Sequence, residues 1–140
     1  MNKLILASAS PRRLALLSQL GLECAVHPVD IDEQVVPGES SEDYVMRMAR
    51  EKADRAVTVC SADLRTTVVL GADTVVVQDG DIMGKPRDRF DALAMLARLG
   101  GRAHQVLTGV AVRGPAGQAE TLSATTVRFR TLERDECERY

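Results

Sequence analysis

The chain has 140 residues, of which 45% are hydrophobic and 27% charged, and its formal net charge is −2. This length and apolar content suit one packed domain, and the small negative charge gives no electrostatic reason to expect nucleic acid or an anionic membrane as a partner. Two tyrosines and two phenylalanines are the only aromatic residues, so no platform for base stacking is expected.

The cysteines and the apolar runs indicate a cellular location. Cys24, Cys60 and Cys137 form no CxxC pair and their number is odd, which favours free thiols in a reducing compartment. The apolar run near the start has about five residues, whereas a signal peptide needs roughly 7–15. No run approaches the ~20 residues of a membrane span. We therefore expect a cytoplasmic protein.

The first two predicted elements are a strand and a helix. Residues 3–7, KLILA, predict a buried strand. Ser10 is a good N-cap, Pro11 suits the first helical position and Gly21 is a natural stop. Leucines recur at helical spacing between them, so a helix is predicted over about 11–20.

A second extended segment is expected within residues 23–33, and the polar segment 34–40, QVVPGES, predicts a loop. Ser40 and Asp43 are spaced as in a capping box. They are expected to open a long helix over about 42–57.

The middle of the chain predicts a hairpin and a third helix. Residues 66–86, TTVVLGADTVVVQDGDIMGKP, place Asp79-Gly80 between two apolar runs, which is a strong signal for a two-residue turn. Asp88 is then expected to cap a helix over 89–100.

Two further strands and a last helix follow. Residues 104–114 and 119–130 predict strands joined by a GPAG turn, and Thr131 is expected to cap a helix over 132–140. Strands and helices thus alternate along most of the chain, which predicts an α/β domain built around a mixed sheet.

The turn before the first helix is the first candidate site. It carries Ser8, Ser10, Arg12 and Arg13, although the positive end of a helix dipole disfavours arginines. Hydroxyls, free backbone N–H groups and guanidiniums are groups that bind phosphate. The turn is therefore either a phosphate site or an ordinary capped helix with solvated arginines.

Lys52 is the second candidate. It follows Val45 by seven residues and Met48 by four, so it lies on the apolar stripe of the second helix. Either its ammonium reaches water while its stem covers apolar surface, or the lysine is directed into a cleft.

Asp73 is the third candidate because it interrupts an apolar strand. A bare carboxylate there is costly, so it must be paired, hydrogen-bonded, bound to metal or placed at an open strand end. Gly71 allows a close backbone approach or a bulge. The hairpin is expected to bring Lys85 opposite Thr74, next to Asp73.

Asp32 and Glu33 form an acidic pair after the second extended segment. They are either part of a solvated loop or, with Asp73, ligands of a hard cation, since Mg²⁺ takes one or two carboxylates plus substrate phosphates. His27 and His104 lack the spacing of metal ligands. Cations for phosphates and carboxylates for a metal and a water indicate hydrolysis of a nucleotide or another phosphate ester, without choosing a base or a bond.

Four segments together resemble one family. In order, LASASPRRLALLSQLG, AREKA, LGADTVVVQDGDIMGKPRD and LGGRAHQVLTGVAV resemble the signature segments of the Maf family of nucleoside triphosphate pyrophosphatases, across nearly the whole chain. The resemblance implies hydrolysis of a nucleoside triphosphate to the monophosphate and pyrophosphate with a divalent cation, Mg²⁺ or Mn²⁺. It also implies a homodimer and an elongated mixed β-sheet with flanking helices and a central cleft, like that of the inosine triphosphate pyrophosphatases.

The resemblance also implies roles for individual residues. Asp73 matches the general base or metal-proximal aspartate, and Glu33 matches an acidic residue near the metal. The polyphosphate-binding groups are matched by Ser8, Arg12, Arg13, Lys52 and Lys85. The branch acting on dTTP and UTP has Ser-Pro-Arg-Arg at the helix start and threonine after the aspartate, which correspond here to Arg12 and Thr74, so these two residues are expected near the base.

Family members continue past residue 140 into a segment that supplies a glutamine for base recognition. We therefore expect residues 1–140 to be a single Maf-like domain without the C-terminal part of the family fold. Two other functions stay open: a non-catalytic nucleotide-binding regulator of septum formation in dividing cells, and a pyrophosphatase for another nucleotide, such as one with a modified purine.

Overall fold

A computed structural model describes residues 3–140, which form one six-stranded mixed sheet with four helices. The elements in chain order are β1 (Lys3–Ala7), α1 (Pro11–Gln19), β2 (Ala25–Val26), α2 (Ser41–Val59), β3 (Thr67–Gln78), β4 (Asp81–Met83), α3 (Arg89–Leu99), β5 (Ala103–Gly114), β6 (Gly117–Arg128) and α4 (Arg134–Arg139). Within this part of the chain no helix is both long and apolar enough to cross a membrane.

The strands follow the order β2-β1-β3-β5-β6, and β4 pairs with β3. β1 runs parallel to β2 and β3, whereas β3, β5 and β6 are antiparallel. These three strands have 12 residues each and are therefore about 40 Å long. The predicted α/β class with an elongated mixed sheet is confirmed.

One edge of β3 is shared by two short strands that leave a space between them. β1 pairs with β3 as far as Ala7↔Gly71, and the pairing with β4 begins at Val76↔Met83. β5 covers the opposite edge without interruption from residue 69 to residue 77. Residues 72–75 consequently have no described strand beside them on the β1 side, and we call this segment the edge gap.

The core lies between α2 and one face of the sheet. A Cβ atom at Gly71 would lie 2.4 Å from the Ala49 carbonyl oxygen, and one at Gly109 would lie 2.9 Å from the Val45 carbonyl oxygen. The helix backbone therefore rests directly on two glycines, so the close approach predicted at Gly71 is confirmed. Two clusters of buried residues surround this contact: Ala7, Ala49, Ala53, Ala56, Val69 and Ala111, and Tyr44, Val45, Met48, Val75, Val77 and Leu107.

The predicted turns and caps around these elements are mostly confirmed. Ser10 is the N-cap of α1, and its hydroxyl accepts from the Arg13 backbone N–H at 3.5 Å. In the hairpin turn both Asp79 and Gly80 have positive φ, +53° and +80°, as a type I′ turn requires. Ser40 and Asp88 cap α2 and α3 as predicted.

Two elements differ from the prediction. The second extended segment contains only a two-residue strand, because β2 contacts β1 alone and only at two positions. Thr131 is not the cap of the last helix: the N-cap is Glu133, whose backbone N–H donates to the Glu136 carboxylate at 3.2 Å. Glu136 also pairs with Arg130, which holds residues 130–133 outside the helix.

Candidate active site

Arg13 reaches from the first turn of α1 to the edge gap of β3. Its Nη1 donates to the Ser8 hydroxyl at 2.8 Å and to the Ala72 carbonyl oxygen at 3.2 Å, and its Nη2 donates to the Thr74 hydroxyl at 3.1 Å. Ser8 is buried. The first-turn guanidinium is thus fixed by three neutral oxygens, two of which belong to a strand about 60 residues away in sequence.

The charge of Arg13 is not neutralised by an ion pair. Among residues 3–140 no carboxylate lies within ion-pair distance of its guanidinium. Burial lowers the pKa of Arg13, and the nearby Asp73 carboxylate raises it. A partly buried cation usually has an anionic partner, so this arginine is suited to receive an anionic ligand.

Lys52 lies in a cluster with two carboxylates. Its Nζ atom is 2.8 Å from Asp73 Oδ1 and 3.4 Å from Glu33 Oε1, and the side chains of Lys52 and Asp73 are each 15% exposed. The alternative in which the Lys52 ammonium simply reaches water is therefore wrong, because the ammonium is paired with Asp73. Gly109 stands opposite Asp73 in β5, and a Cβ there would lie 2.9 Å from the Val45 carbonyl oxygen, so this glycine lets α2 approach the sheet beside Asp73.

The Arg13 contacts and the Lys52 cluster meet at the edge gap. Asp73 faces α2, where it meets Lys52, and the bonds of Arg13 to Ala72 and Thr74 lie on either side of it. The place is the carboxyl end of β1, beside its parallel neighbour and the N-terminus of α1. Ligands of open α/β sheets bind in this position, and a helix N-terminus favours anions.

The carboxylates are suited to a divalent cation. Asp73 Oδ1 and Glu33 Oε1 converge on one positive charge, that of Lys52, and carboxylate oxygens are the ligands that Mg²⁺ and Mn²⁺ prefer. Residues 3–140 contain no group of three His, Cys, Asp or Glu side chains arranged to hold a metal. A metal held by these two carboxylates would take its remaining ligands from phosphate and water.

The structure does not bring Arg12 or Lys85 into this cluster. Both are exposed, and neither makes a hydrogen bond or ion pair with the other described residues. The predicted pairing of Thr74 with Lys85 is wrong because the ladder between β3 and β4 ends at Met83. Pro86, which follows Lys85, lacks a backbone N–H to continue a ladder.

Thr108 is a member of the site that the sequence analysis missed. Its hydroxyl oxygen lies 3.1 Å from the Thr74 hydroxyl oxygen, since the two residues stand opposite each other in β5 and β3. A weak signal was present: Thr108 alternates with Val106 and Val110 on one face of a strand. A lone hydroxyl in that row is compatible with both packing and binding, so the sequence did not single it out.

Known proteins resemble the chain in sequence and in fold. The Maf profile, described as "Maf-like protein", matches residues 3–140. A dTTP/UTP pyrophosphatase of Hahella chejuensis is 50% identical over 99% of this chain, which spans 69% of that relative.

Two solved structures share the fold. The Ham1 protein of Staphylococcus aureus has a TM-score of 0.60 at 14% identity, over 91% of this chain and 71% of that protein. A nucleoside-triphosphatase, dITP/XTP pyrophosphatase, of Mycobacterium abscessus has a TM-score of 0.50 at 20% identity, over 89% and 71%. The fold therefore resembles that of these two proteins, and by its sequence the chain belongs to the Maf family.

Proposed function

We propose that this chain hydrolyses nucleoside triphosphates, dTTP and UTP first among them, to the nucleoside monophosphate and pyrophosphate. The observation that carries this proposal is the meeting of Arg13 with the Lys52–Asp73 pair at the edge gap of β3. The relative named dTTP/UTP pyrophosphatase, with half of its aligned residues identical, supports the choice of substrates.

The cations bind the polyphosphate. Arg13 offers a planar set of donors that suits phosphate oxygens, and the N-terminus of α1 adds backbone N–H groups. The Lys52 ammonium is shared between Asp73 and Glu33, and a triphosphate competes with these carboxylates for it. In the reaction Arg13 and Lys52 stabilise the negative charge that develops on the leaving pyrophosphate.

Asp73 activates the water. As the substrate draws Lys52 towards its phosphates, the Asp73 carboxylate becomes free to accept a hydrogen bond and then a proton from water. The water oxygen forms a bond to the α-phosphorus while the bond from that phosphorus to the bridging oxygen breaks. Pyrophosphate leaves with the electron pair of the broken bond, and the monophosphate retains the water oxygen.

Asp73 and Glu33 would also hold the divalent cation, Mg²⁺ or Mn²⁺. When bound, such a cation neutralises phosphate charge and polarises the phosphoryl oxygens. The carboxylates then have two tasks that follow from one arrangement: they retain Lys52 before the substrate arrives and supply hard oxygen ligands afterwards.

The remaining proposed site residues act on the outer parts of the substrate. Arg12 and Thr74 stand near the base, with the Thr108 hydroxyl beside that of Thr74. Lys85 and the Ser8 hydroxyl complete the polyphosphate-binding set. Arg12 and Lys85 are exposed, so both side chains are accessible to a ligand from solvent.

A substrate panel tests the activity. We expect Mg²⁺- or Mn²⁺-dependent release of pyrophosphate, without orthophosphate, from dTTP and UTP and less from dCTP, dATP, ITP and 7-methyl-GTP. Binding of dTTP without turnover would favour a regulator of cell division instead. Faster turnover of a modified purine nucleotide than of dTTP would contradict the substrate class.

We also propose that the protein is a cytoplasmic homodimer, as the resemblance to the family suggests. Light scattering after size-exclusion chromatography measures the mass directly. A mass of twice 15.2 kDa is expected, and a monomer at all accessible concentrations would contradict the proposal.

A further inference from the structure

Glu33 lies in an irregular segment, yet its carboxylate is held close to Lys52. Its side chain is 51% exposed, and residues 33–39 contain neither helix nor strand. An exposed glutamate has several rotatable bonds, and ordering it costs conformational entropy. The distance of 3.4 Å between Glu33 Oε1 and Lys52 Nζ therefore requires a backbone that is fixed by other contacts.

Two side chains of α2 supply those contacts. The Tyr44 hydroxyl donates to the backbone carbonyl oxygen of Glu33 at 2.6 Å. Arg47 Nη2 donates to the next carbonyl oxygen, that of Gln34, at 2.9 Å. The backbone on the carboxyl side of Glu33 is thus bonded at two consecutive residues to one helix.

Arg47 closes the other end of the segment through Glu39. Its Nε and Nη2 lie 2.7 Å and 2.9 Å from the two Glu39 carboxylate oxygens, and Glu39 Oε1 accepts from the Val36 backbone N–H at 3.2 Å. This two-point geometry gives directional specificity as well as charge pairing. Arg47 consequently links Gln34 and Glu39, which lie near the two ends of residues 33–39.

The contacting side chains are themselves firmly placed. Tyr44 is 7% exposed and belongs to the core cluster with Met48 and Leu107, and the Arg47 guanidinium lies 5.6 Å from its ring centre. Burial raises the pKa of Tyr44, and the Asp73 and Glu33 carboxylates raise it further. The core thus fixes the ring, and the hydroxyl lies within hydrogen-bond distance of the Glu33 carbonyl oxygen.

We propose that Tyr44 and Arg47 are positioning residues that hold the Glu33 carboxylate close to Lys52 and Asp73. This inference rests on the proposed function. All three contacts originate from α2, which also carries Lys52. A rigid helix thus sets the distance between the ammonium and the backbone that carries its second carboxylate. Tyr44 and Arg47 touch neither substrate nor metal in this role and act only through Glu33.

The first test uses Tyr44→Phe, which keeps the ring and removes the hydroxyl, and Glu39→Gln, which weakens the grip of Arg47. We expect kcat for dTTP to fall about two- to tenfold in each, the effect of one lost hydrogen bond, and the Mn²⁺ concentration for half-maximal rate to rise. KM for dTTP should change less than twofold. Glu51→Gln is the matched control, because it weakens a longer contact of Arg47, 3.4 Å, that does not involve the segment.

A double-mutant comparison separates positioning from general support of the structure. In a Glu33→Gln background, Tyr44→Phe should cause no further loss of kcat and no further change in the Mn²⁺ dependence. An equal loss in the wild-type and Glu33→Gln backgrounds would overturn the proposal, since the hydroxyl would then act independently of the Glu33 carboxylate.

Amide hydrogen exchange provides a readout without turnover or metal. Exchange within residues 33–39 should be about two- to tenfold faster in Tyr44→Phe and Glu39→Gln than in the wild type and Glu51→Gln. Unchanged exchange would overturn the proposal. If the wild-type chain releases no pyrophosphate from any nucleotide, the proposed function fails, and this exchange comparison alone decides whether α2 holds Glu33.

Discussion

A guanidinium that is partly removed from water and bonded only to neutral oxygens loses hydration that no carboxylate replaces. Arg13 is in this situation, at the positive end of α1, where the helix dipole opposes it as well. The proposed role of Arg13 in binding polyphosphate would account for both costs, because a triphosphate would supply the negative charge that the described residues do not place beside this guanidinium.

Arg13→Lys should therefore raise KM for dTTP about tenfold or more with a smaller effect on kcat. A lysine cannot bond Ser8, Ala72 and Thr74 at once and still present a planar pair of donors to phosphate. Steady-state kinetics measures this. Arg65→Lys is the control, because Arg65 is 89% exposed and its partner among the described residues is Asp63. An equal shift of KM in that variant would show that the effect of an arginine-to-lysine change is not specific to this site.

Asp73→Asn should lower kcat by about 10²–10⁴-fold, because an amide cannot take the proton of the attacking water. The fold should persist, since Lys52 keeps Glu33 as a partner. Circular dichroism and thermal melting check the fold beside the kinetics. Asp54→Asn is a matched control that removes a carboxylate of α2 that lies 2.9 Å from Arg113. Near wild-type turnover by Asp73→Asn would refute the assignment.

Individual residues were predictable where a local rule applies. Asp73 was identifiable because a carboxylate in an apolar strand requires a partner. The turn with Arg12 and Arg13 was identifiable because arginines at a helix N-terminus oppose the helix dipole. The partners themselves were not predictable from residue types. Arg13 bonds residues 59 and 61 positions away, and the Lys52–Asp73 pair depends on how α2 packs on the sheet.

At the scale of elements, the contact between α2 and β3 places Lys52. The helix lies on Gly71 so closely that a Cβ there would be 2.4 Å from one backbone atom and 2.6 Å from another. These atoms cannot rotate away, so an alanine would push the helix off the strand. The same movement would separate Lys52 from Asp73.

Gly71→Ala should accordingly destabilise the protein by about 3 kcal/mol, at the upper end of overpacking effects, and reduce kcat as well. Urea unfolding measures the free energy. Gly84→Ala is the control, because nothing lies within 4 Å of a Cβ at that position. Equal stability of the two variants would show that the close approach does not constrain the helix.

Elements defined by short-range rules were predicted well. The Asp79-Gly80 turn needs positive φ at both residues, which the Asp-Gly pair tolerates. β2 was less predictable, because its length depends on its pairing with β1. The start of the last helix was also less predictable, because Glu133 and Glu136 form the cap that Thr131 was expected to provide. The edge gap could not be predicted, since it arises from where two separate strands stop along β3.

At the scale of the molecule, the sheet brings distant segments to one place. The turn after β1, the middle of β3 and the middle of α2 meet at the edge gap, although the whole chain carries a net charge of −2. Overall charge therefore does not report the local cations that a triphosphate needs. β1 pairs with β3 in parallel, and β3 also pairs with β5 in antiparallel orientation. These pairings bring the turn after β1 close to the middle of β3.

A crystal structure with a non-hydrolysable analogue, α,β-imido-dUTP, and Mg²⁺ tests the central claim most directly. The account predicts polyphosphate oxygens within about 3 Å of both the Arg13 guanidinium and the Lys52 ammonium, with the α-phosphorus beside Asp73. Polyphosphate bound elsewhere, with Arg13 still bonded to Ser8 and Thr74 and Lys52 still paired to Asp73, would contradict it.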